Sequence, residues 1–106
     1  MLVSASTDAQ RVSLTTGNKL LEACESKGEF DQEFCHGYIT GVSDMEGINT
    51  AAHPEQRRSC IPEDVTNGQI KDVVLKYLRD HPEDRHLLAA ILIVEAVSKA
   101  FSCKPH

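Results

Sequence analysis

The chain has 106 residues and a formal net charge of −5 at pH 7, with 41% hydrophobic and 25% charged residues. This length suits one compact domain, and this composition is typical of a globular protein. The acidic balance without a basic stripe argues against nucleic-acid binding, and the longest nearly uncharged apolar run, residues 87–94, is too short to span a bilayer.

Two helices are predicted in the first half of the chain. The first begins after Thr15 or Thr16, because either hydroxyl can cap it, and it runs to about Ser26. Gly28 then ends it, and Asp31 is the predicted N-cap of the second helix. The apolar residues of the second helix recur at every third or fourth position and form one stripe: Phe34, Tyr38, Val42 and Met45.

A polar segment, residues 49–67, is predicted to be mostly loop. It contains H-P-E-Q-R-R, which places a proline at a first helical position with an acid beside it. The segment is therefore expected to hold at most one short helix, at 53–60.

Two more helices are predicted after this loop. Thr66 or Asn67 caps the third, which ends near His81 because a residue before proline disfavours helix. The fourth is predicted to start with residues 82–84 and to continue through the apolar run 87–97. The predicted fold class is therefore all-α, a compact bundle of four main helices.

The four cysteines form an even set without a C-x-x-C motif, so neither a zinc ribbon nor a thioredoxin-type site fits. An exported protein with two disulfides is the favoured interpretation, and a cytosolic protein with buried free thiols is the alternative. Only about four residues separate the first two helices, which forces an antiparallel hairpin. Cys24 and Cys35 then face each other within bridging distance, which leaves Cys60 to pair with Cys103.

The sequence favours this structural role for sulfur over a catalytic or a metal site. Cys35 is followed by His36, but adjacent helical residues point about 100° apart, and a bridged cysteine has no thiolate. A metal site at His81, Asp84 and His86 is disfavoured because the two histidines are not four residues apart. We therefore predict a binding or structural protein that is not an enzyme and has no catalytic residue, metal or cofactor.

Over roughly residues 16–103 the sequence resembles the Rap/Tai immunity proteins of bacterial type VI secretion systems. The strongest matching stretches are F-C-H-G-Y-I-T-G and V-V-L-K-Y-L-R-D-H-P, and the cysteines follow in the same order. The resemblance implies a small, periplasmic, disulfide-bonded homodimer. It also implies that each protein plugs the active-site cleft of a cognate amidase, a papain-like Cys/His enzyme that cuts peptidoglycan stems, and so protects the producing cell.

A plug needs a rigid frame and a protruding polar loop, and two loops qualify. The favoured effector-binding loop consists of Asp80, His81, Pro82, Glu83, Asp84 and Arg85. It is short, stiffened by proline and charged, so little entropy is lost on docking. The other candidate is residues 49–58, and a competing interpretation makes His81-Pro82 only a tight interhelical turn.

One domain is predicted over residues 12–104, with 1–11 as a flexible N-terminal tail. The first residues do not form a complete signal peptide, so a periplasmic location implies a leader that this chain does not carry. The alternative function is an HdeA-like acid-stress chaperone whose client-binding surface is exposed when a dimer dissociates at low pH. An enzyme would instead require a free Cys35 thiol.

Overall fold

The computed structural model describes residues 14–103, in which four α-helices carry the fold and no strand is formed. The helices are α1 (Gly17–Glu25), α2 (Glu29–Ala52), α3 (Asn67–Asp80) and α4 (Ala89–Ala100). Short 3-10 turns follow α2 at Pro54–Gln56 and α3 at Pro82–Asp84. The all-α class is confirmed. The predicted tail 1–11 lies outside the described residues, as do both ends of the predicted domain 12–104.

Threonine side chains begin α1 and α3. The hydroxyl of Thr16 accepts a hydrogen bond from the backbone N–H of Lys19 at 3.2 Å. The hydroxyl of Thr66 accepts from the N–H of Gln69 at 3.1 Å, and the side chain of Gln69 accepts from the N–H of Thr66 at 3.0 Å. These bonds satisfy donors that a helix start leaves without partners. Of the two capping residues predicted for each helix, the structure therefore uses Thr16 for α1 and Thr66 for α3.

The second helix is longer than predicted at its start and at its end. Gly28 is its N-cap, so Asp31 lies in the first turn, where the helix dipole favours an acid. The helix continues to Ala52, well into the segment predicted as loop. The predicted short helix at 53–60 is reduced to the 3-10 turn Pro54–Gln56.

The face of α2 that packs on the core includes only half of the predicted apolar stripe, because Tyr38 and Val42 are half-buried against the core. Cys35 and Ile39, one turn apart, are its buried residues. Phe34 and Met45 of the stripe remain 37% and 64% exposed. The bridge from Cys35 to Cys24 sets the rotation of α2 about its axis, and that rotation turns these two side chains outward.

All four helices contribute to one aliphatic core, and no described polar or charged residue is buried in it. The buried side chains are Leu20, Leu21, Cys24, Cys35, Ile39, Ile70, Val74, Leu75, Leu78, Ala89, Leu92, Ile93, Ala96 and Val97.

Both predicted disulfides are confirmed. The Cα atoms of Cys24 and Cys35 are 5.0 Å apart, as are those of Cys60 and Cys103. The first bridge is buried between α1 and α2, whereas both cysteines of the second are exposed. Because no cysteine is free, the alternatives that need a free thiol, a nucleophilic Cys35 among them, are wrong.

The predicted fourth helix is divided. Residues 82–84 form a 3-10 turn, and α4 begins only at Ala89. Between them the backbone pairs with the start of α1, in hydrogen bonds from Gly17 to Leu87 (2.9 Å), from Asn18 to Arg85 (2.8 Å) and from Ala89 to Thr15 (2.8 Å). We call this pairing of residues 15–18 with 85–89 the clasp. It supplies acceptors for N–H groups in the first turn of α1 that have none within the helix.

The clasp depends on Gly17. A Cβ atom there would lie 2.5 Å from Cδ1 of the buried Leu92 and 3.1 Å from the carbonyl oxygen of Arg85. We expect Gly17→Ala to lower the free energy of unfolding by about 1–3 kcal/mol, because neither the packed leucine nor the paired backbone can move freely. Urea denaturation of the purified chain measures this.

The matched control is Gly47→Ala in α2, where nothing lies within 4 Å of the added methyl group. There we expect stability to rise by about 0.5–1 kcal/mol, since alanine is the better helix former. Equal effects of the two substitutions would contradict the tight contact at Gly17.

Candidate functional site

The predicted binding loop, Asp80–Arg85, connects α3 to α4 at the clasp. Asp80 is the last residue of α3, His81 caps it, and Pro82 occupies the first turn of the 3-10 segment. Within the turn, the N–H of Asp84 donates to the carbonyl oxygen of His81 at 3.0 Å. Both interpretations of His81-Pro82, as a docking loop and as a mere interhelical turn, predict this geometry, so only a binding measurement separates them.

His81 is held against α3. Its Nδ1 lies 2.8 Å from the carbonyl oxygen of Tyr77 and, because a carbonyl only accepts, this nitrogen carries the proton and donates it. The two rings stack with centroids 4.0 Å apart, and Nζ of Lys99 lies 5.6 Å from the Tyr77 ring centroid. His81 therefore fixes the start of the turn.

The charge of Asp80 is largely neutralised within the protein. Nζ of Lys76 lies 2.7 Å from its carboxylate, one helical turn away. This hydrogen bond holds the pKa of the Asp80 carboxyl below its ordinary value. Asp80 therefore has less charge to offer a partner than the acids that follow it.

Glu83 and Asp84 are the acids of the loop that remain available. Neither forms an ion pair with any residue that the structure describes. Glu83 is exposed and Asp84 is half-buried, and both lie on the 3-10 turn that Pro82 starts. We call the segment Pro82–Asp84 the acidic turn.

Arg85 closes the loop on the side of α1. Its carbonyl oxygen accepts the hydrogen bond from Asn18 in the clasp. Its Nε atom is buried and has no hydrogen-bond partner in the described part of the chain. The backbone of Arg85 thus fixes the end of the loop to α1, as His81 fixes its start to α3.

The other predicted loop, residues 49–58, is not one loop in the structure. Its first four residues are the end of α2, and the rest includes the 3-10 turn Pro54–Gln56. Residues 51–58 are all exposed, and next to them the backbone is fixed at Cys60, which donates to the carbonyl oxygen of Phe101 at 2.7 Å. Arg57 and Arg58 make this segment basic, in contrast to the acidic turn.

Sequence reasoning missed an apolar groove between α2 and α4, with a volume of about 840 Å³. Its lining includes Gly37, Gly41, Met45, Glu46, Arg58 and Ile91. We call it the α2–α4 groove. Two sequence signals could have indicated it: glycines four residues apart on one helix, and an isoleucine on the outer side of an almost uncharged helix.

In residues 14–103 no group of histidine, cysteine and acidic side chains is placed to hold a metal ion. The cysteines have no thiol to act as a nucleophile. No helix between Leu14 and Cys103 is both long and apolar enough to cross a membrane.

Comparison with known families agrees with the sequence resemblance. A family model described as Rap1a immunity proteins matches residues 16–103, a range that contains all four helices, both disulfides and the acidic turn. No curated protein and no solved structure matches the chain significantly.

Proposed function

Because the chain belongs to the Rap1a immunity protein family, we propose that it binds and inhibits one cognate peptidoglycan amidase delivered by type VI secretion. A role as an immunity protein against secreted effectors follows from the family. The amidase, a papain-like Cys/His enzyme, is the effector class that the sequence resemblance implies. In this proposal the chain is a non-catalytic inhibitor that occludes the active-site cleft of the enzyme.

We place the protein in the periplasm, as a homodimer. Disulfides form and persist in that compartment, and a peptidoglycan amidase meets its substrate there. The family assignment favours this role over that of an HdeA-like acid-stress chaperone, which no described feature specifically supports.

The proposal depends mainly on the acidic turn. Its two ends are fixed to the rest of the fold, and its two acids form no ion pair within residues 14–103. His81 and Arg85 fix its ends, so docking costs little conformational entropy. Glu83 and Asp84 offer negative charge to a basic rim around the effector cleft, which speeds association and orients the plug. Inhibition then results from exclusion of the substrate and needs no reaction with the catalytic cysteine of the amidase.

The test mixes the purified protein with candidate amidases from the same locus. We expect binding tighter than micromolar by titration calorimetry and stoichiometric loss of cleavage of peptidoglycan fragments. An amidase whose catalytic cysteine is replaced by alanine should bind equally well, because occlusion does not use that thiol. Binding no tighter than micromolar to any amidase of the locus would reject the proposal.

A further inference from the structure

A small cavity lies beside the α2–α4 groove, where the last turns of α2, residues 57–61 and α4 meet. Its volume is about 280 Å³, near the lower end of the range for sites that hold a small molecule. One side of it is apolar, because Ile93 and Val97 of the buried face of α4 line it. We call it the polar cavity, since much of its remaining wall carries polar side chains: Ser43, Glu46, Thr50, Arg57 and Ser59.

The face of α2 that lines the polar cavity is polar although it lies next to α4. Ser43, Glu46 and Thr50 follow one another at intervals of three and four residues, so they share one face of the helix. Gly47 belongs to the same face, and nothing lies within 4 Å of where its Cβ atom would stand. The hydroxyl groups of Ser43, Thr50 and Ser59 are on half-buried residues and form no hydrogen bond within residues 14–103. Packing of the fold alone does not account for this face.

The polar cavity also holds two opposite charges that do not neutralise each other. Glu46 is half-buried, and neither it nor Arg57 forms an ion pair with any residue that the structure describes. The side chain of Arg57 contacts Sγ of Cys60 at 3.9 Å, and sulfur is a weak acceptor. A carboxylate and a guanidinium group that line one cavity without bonding to each other leave room for a ligand that carries both charges.

We propose that the polar cavity binds a small aliphatic amino acid in its zwitterionic form. The carboxylate of the ligand accepts hydrogen bonds from Arg57, and its ammonium group donates to Glu46. The aliphatic side chain of the ligand covers Ile93 and Val97. A ligand with one charge would leave the opposite group of the cavity without a partner, and the small volume favours a single amino acid over a peptide. This site is separate from amidase binding, since no residue of the acidic turn lines it.

The exposed disulfide fixes one wall of the polar cavity. Cys60 lies between Ser59 and Ile61, which both line the cavity, and it is bonded to Cys103. The backbone N–H of Cys60 also donates to the carbonyl oxygen of Phe101 at 2.7 Å. Because this wall is already fixed in the free protein, little conformational entropy is lost when a ligand enters.

Titration of the full chain with leucine, followed by amide NMR, tests the site. We expect saturable shifts, largest at the residues that line the polar cavity, with a dissociation constant on the order of 0.1–1 mM for so small a ligand. N-acetylleucine lacks the ammonium group and leucinamide lacks the carboxylate, so each should bind about tenfold more weakly or worse. No saturable shift at about 10 mM leucine, or equal binding of either blocked ligand, would overturn the inference.

Two substitutions that remove charge test which group of the ligand each residue binds. Arg57→Gln should weaken leucine binding about tenfold or more and leave the weak binding of leucinamide unchanged, because leucinamide has no carboxylate. Glu46→Gln should weaken leucine binding equally and leave that of N-acetylleucine unchanged. The same NMR spectra show that each variant is folded.

The matched control is Arg58→Gln, which changes the neighbouring arginine. Arg58 lines the α2–α4 groove but not the polar cavity, so we expect leucine to bind this variant as it binds the wild-type chain. A loss of affinity in the control as large as that of Arg57→Gln would contradict the proposed site, as would unchanged leucine binding by either cavity variant.

Discussion

Replacing Glu83 and Asp84 together by lysine is expected to weaken amidase binding by about 100-fold or more. Both acids lack an ion pair in residues 14–103, so reversing them breaks no described ion pair. Titration calorimetry measures the affinity. Added salt should weaken wild-type binding more than binding of the variant, because exposed charges are screened.

Two controls locate the docking surface. Asp80→Asn should change the affinity little, since Lys76 already neutralises that carboxylate. Glu55→Lys reverses an exposed acid in the competing loop, 49–58, and should also leave binding unchanged. If Glu55→Lys weakened binding strongly while the double variant of the acidic turn bound normally, the docking surface would be residues 49–58 instead.

Removing the buried disulfide by Cys24→Ala and Cys35→Ala is expected to lower the free energy of unfolding by about 3 kcal/mol or more, a large part of the 5–15 kcal/mol typical of a domain. The bridge restricts the unfolded chain, and its sulfur atoms also fill space between α1 and α2. Urea denaturation without reductant gives the value. Amide exchange in α1 should accelerate, because α1 loses its covalent link to α2.

The paired experiment removes the exposed bridge by Cys60→Ala and Cys103→Ala. Its sequence separation is 43 rather than 11, so chain entropy alone predicts a loss of about 4 kcal/mol. Amide exchange should change around residues 57–66 and leave α1 as it was. Faster exchange of α1 in this variant but not in the first would show that the structural roles of the two bridges are reversed.

Features decided by neighbours in sequence were predictable. Thr16 and Thr66 cap helices through residues three positions away. The pairing of Cys24 with Cys35 followed from a short connection between two helices, and the second pair then followed by elimination. The four-helix class rests on the same local signals.

Features decided by distant contacts were not predictable. Pro82 begins a 3-10 turn rather than α4 because the backbone that follows pairs with residues 15–18, which no local pattern indicates. The rotation of α2 is set by its bridge and by core packing, so Phe34 and Met45 face outward despite their helical spacing.

The sequence was sufficient to locate the candidate loop, but it did not predict which contacts the side chains of the loop make. Charge and proline content singled out residues 80–85. Three contacts in this loop depend on the three-dimensional structure. His81 stacks on Tyr77, Lys76 pairs with Asp80, and Nε of Arg85 is buried. These contacts reduce six candidate residues to two available acids on the acidic turn.

The clasp also has a consequence for the order of folding. It joins residues near the two ends of the described chain, so the first turn of α1 obtains its backbone acceptors only after Arg85 and Leu87 have been synthesised. A growing polypeptide that stops before them also lacks Leu92, against which Gly17 packs. Contacts of such high sequence separation form late and slow the search for the native state. Late formation of the clasp would keep the nascent chain unfolded for longer, which would suit the export to the periplasm proposed above.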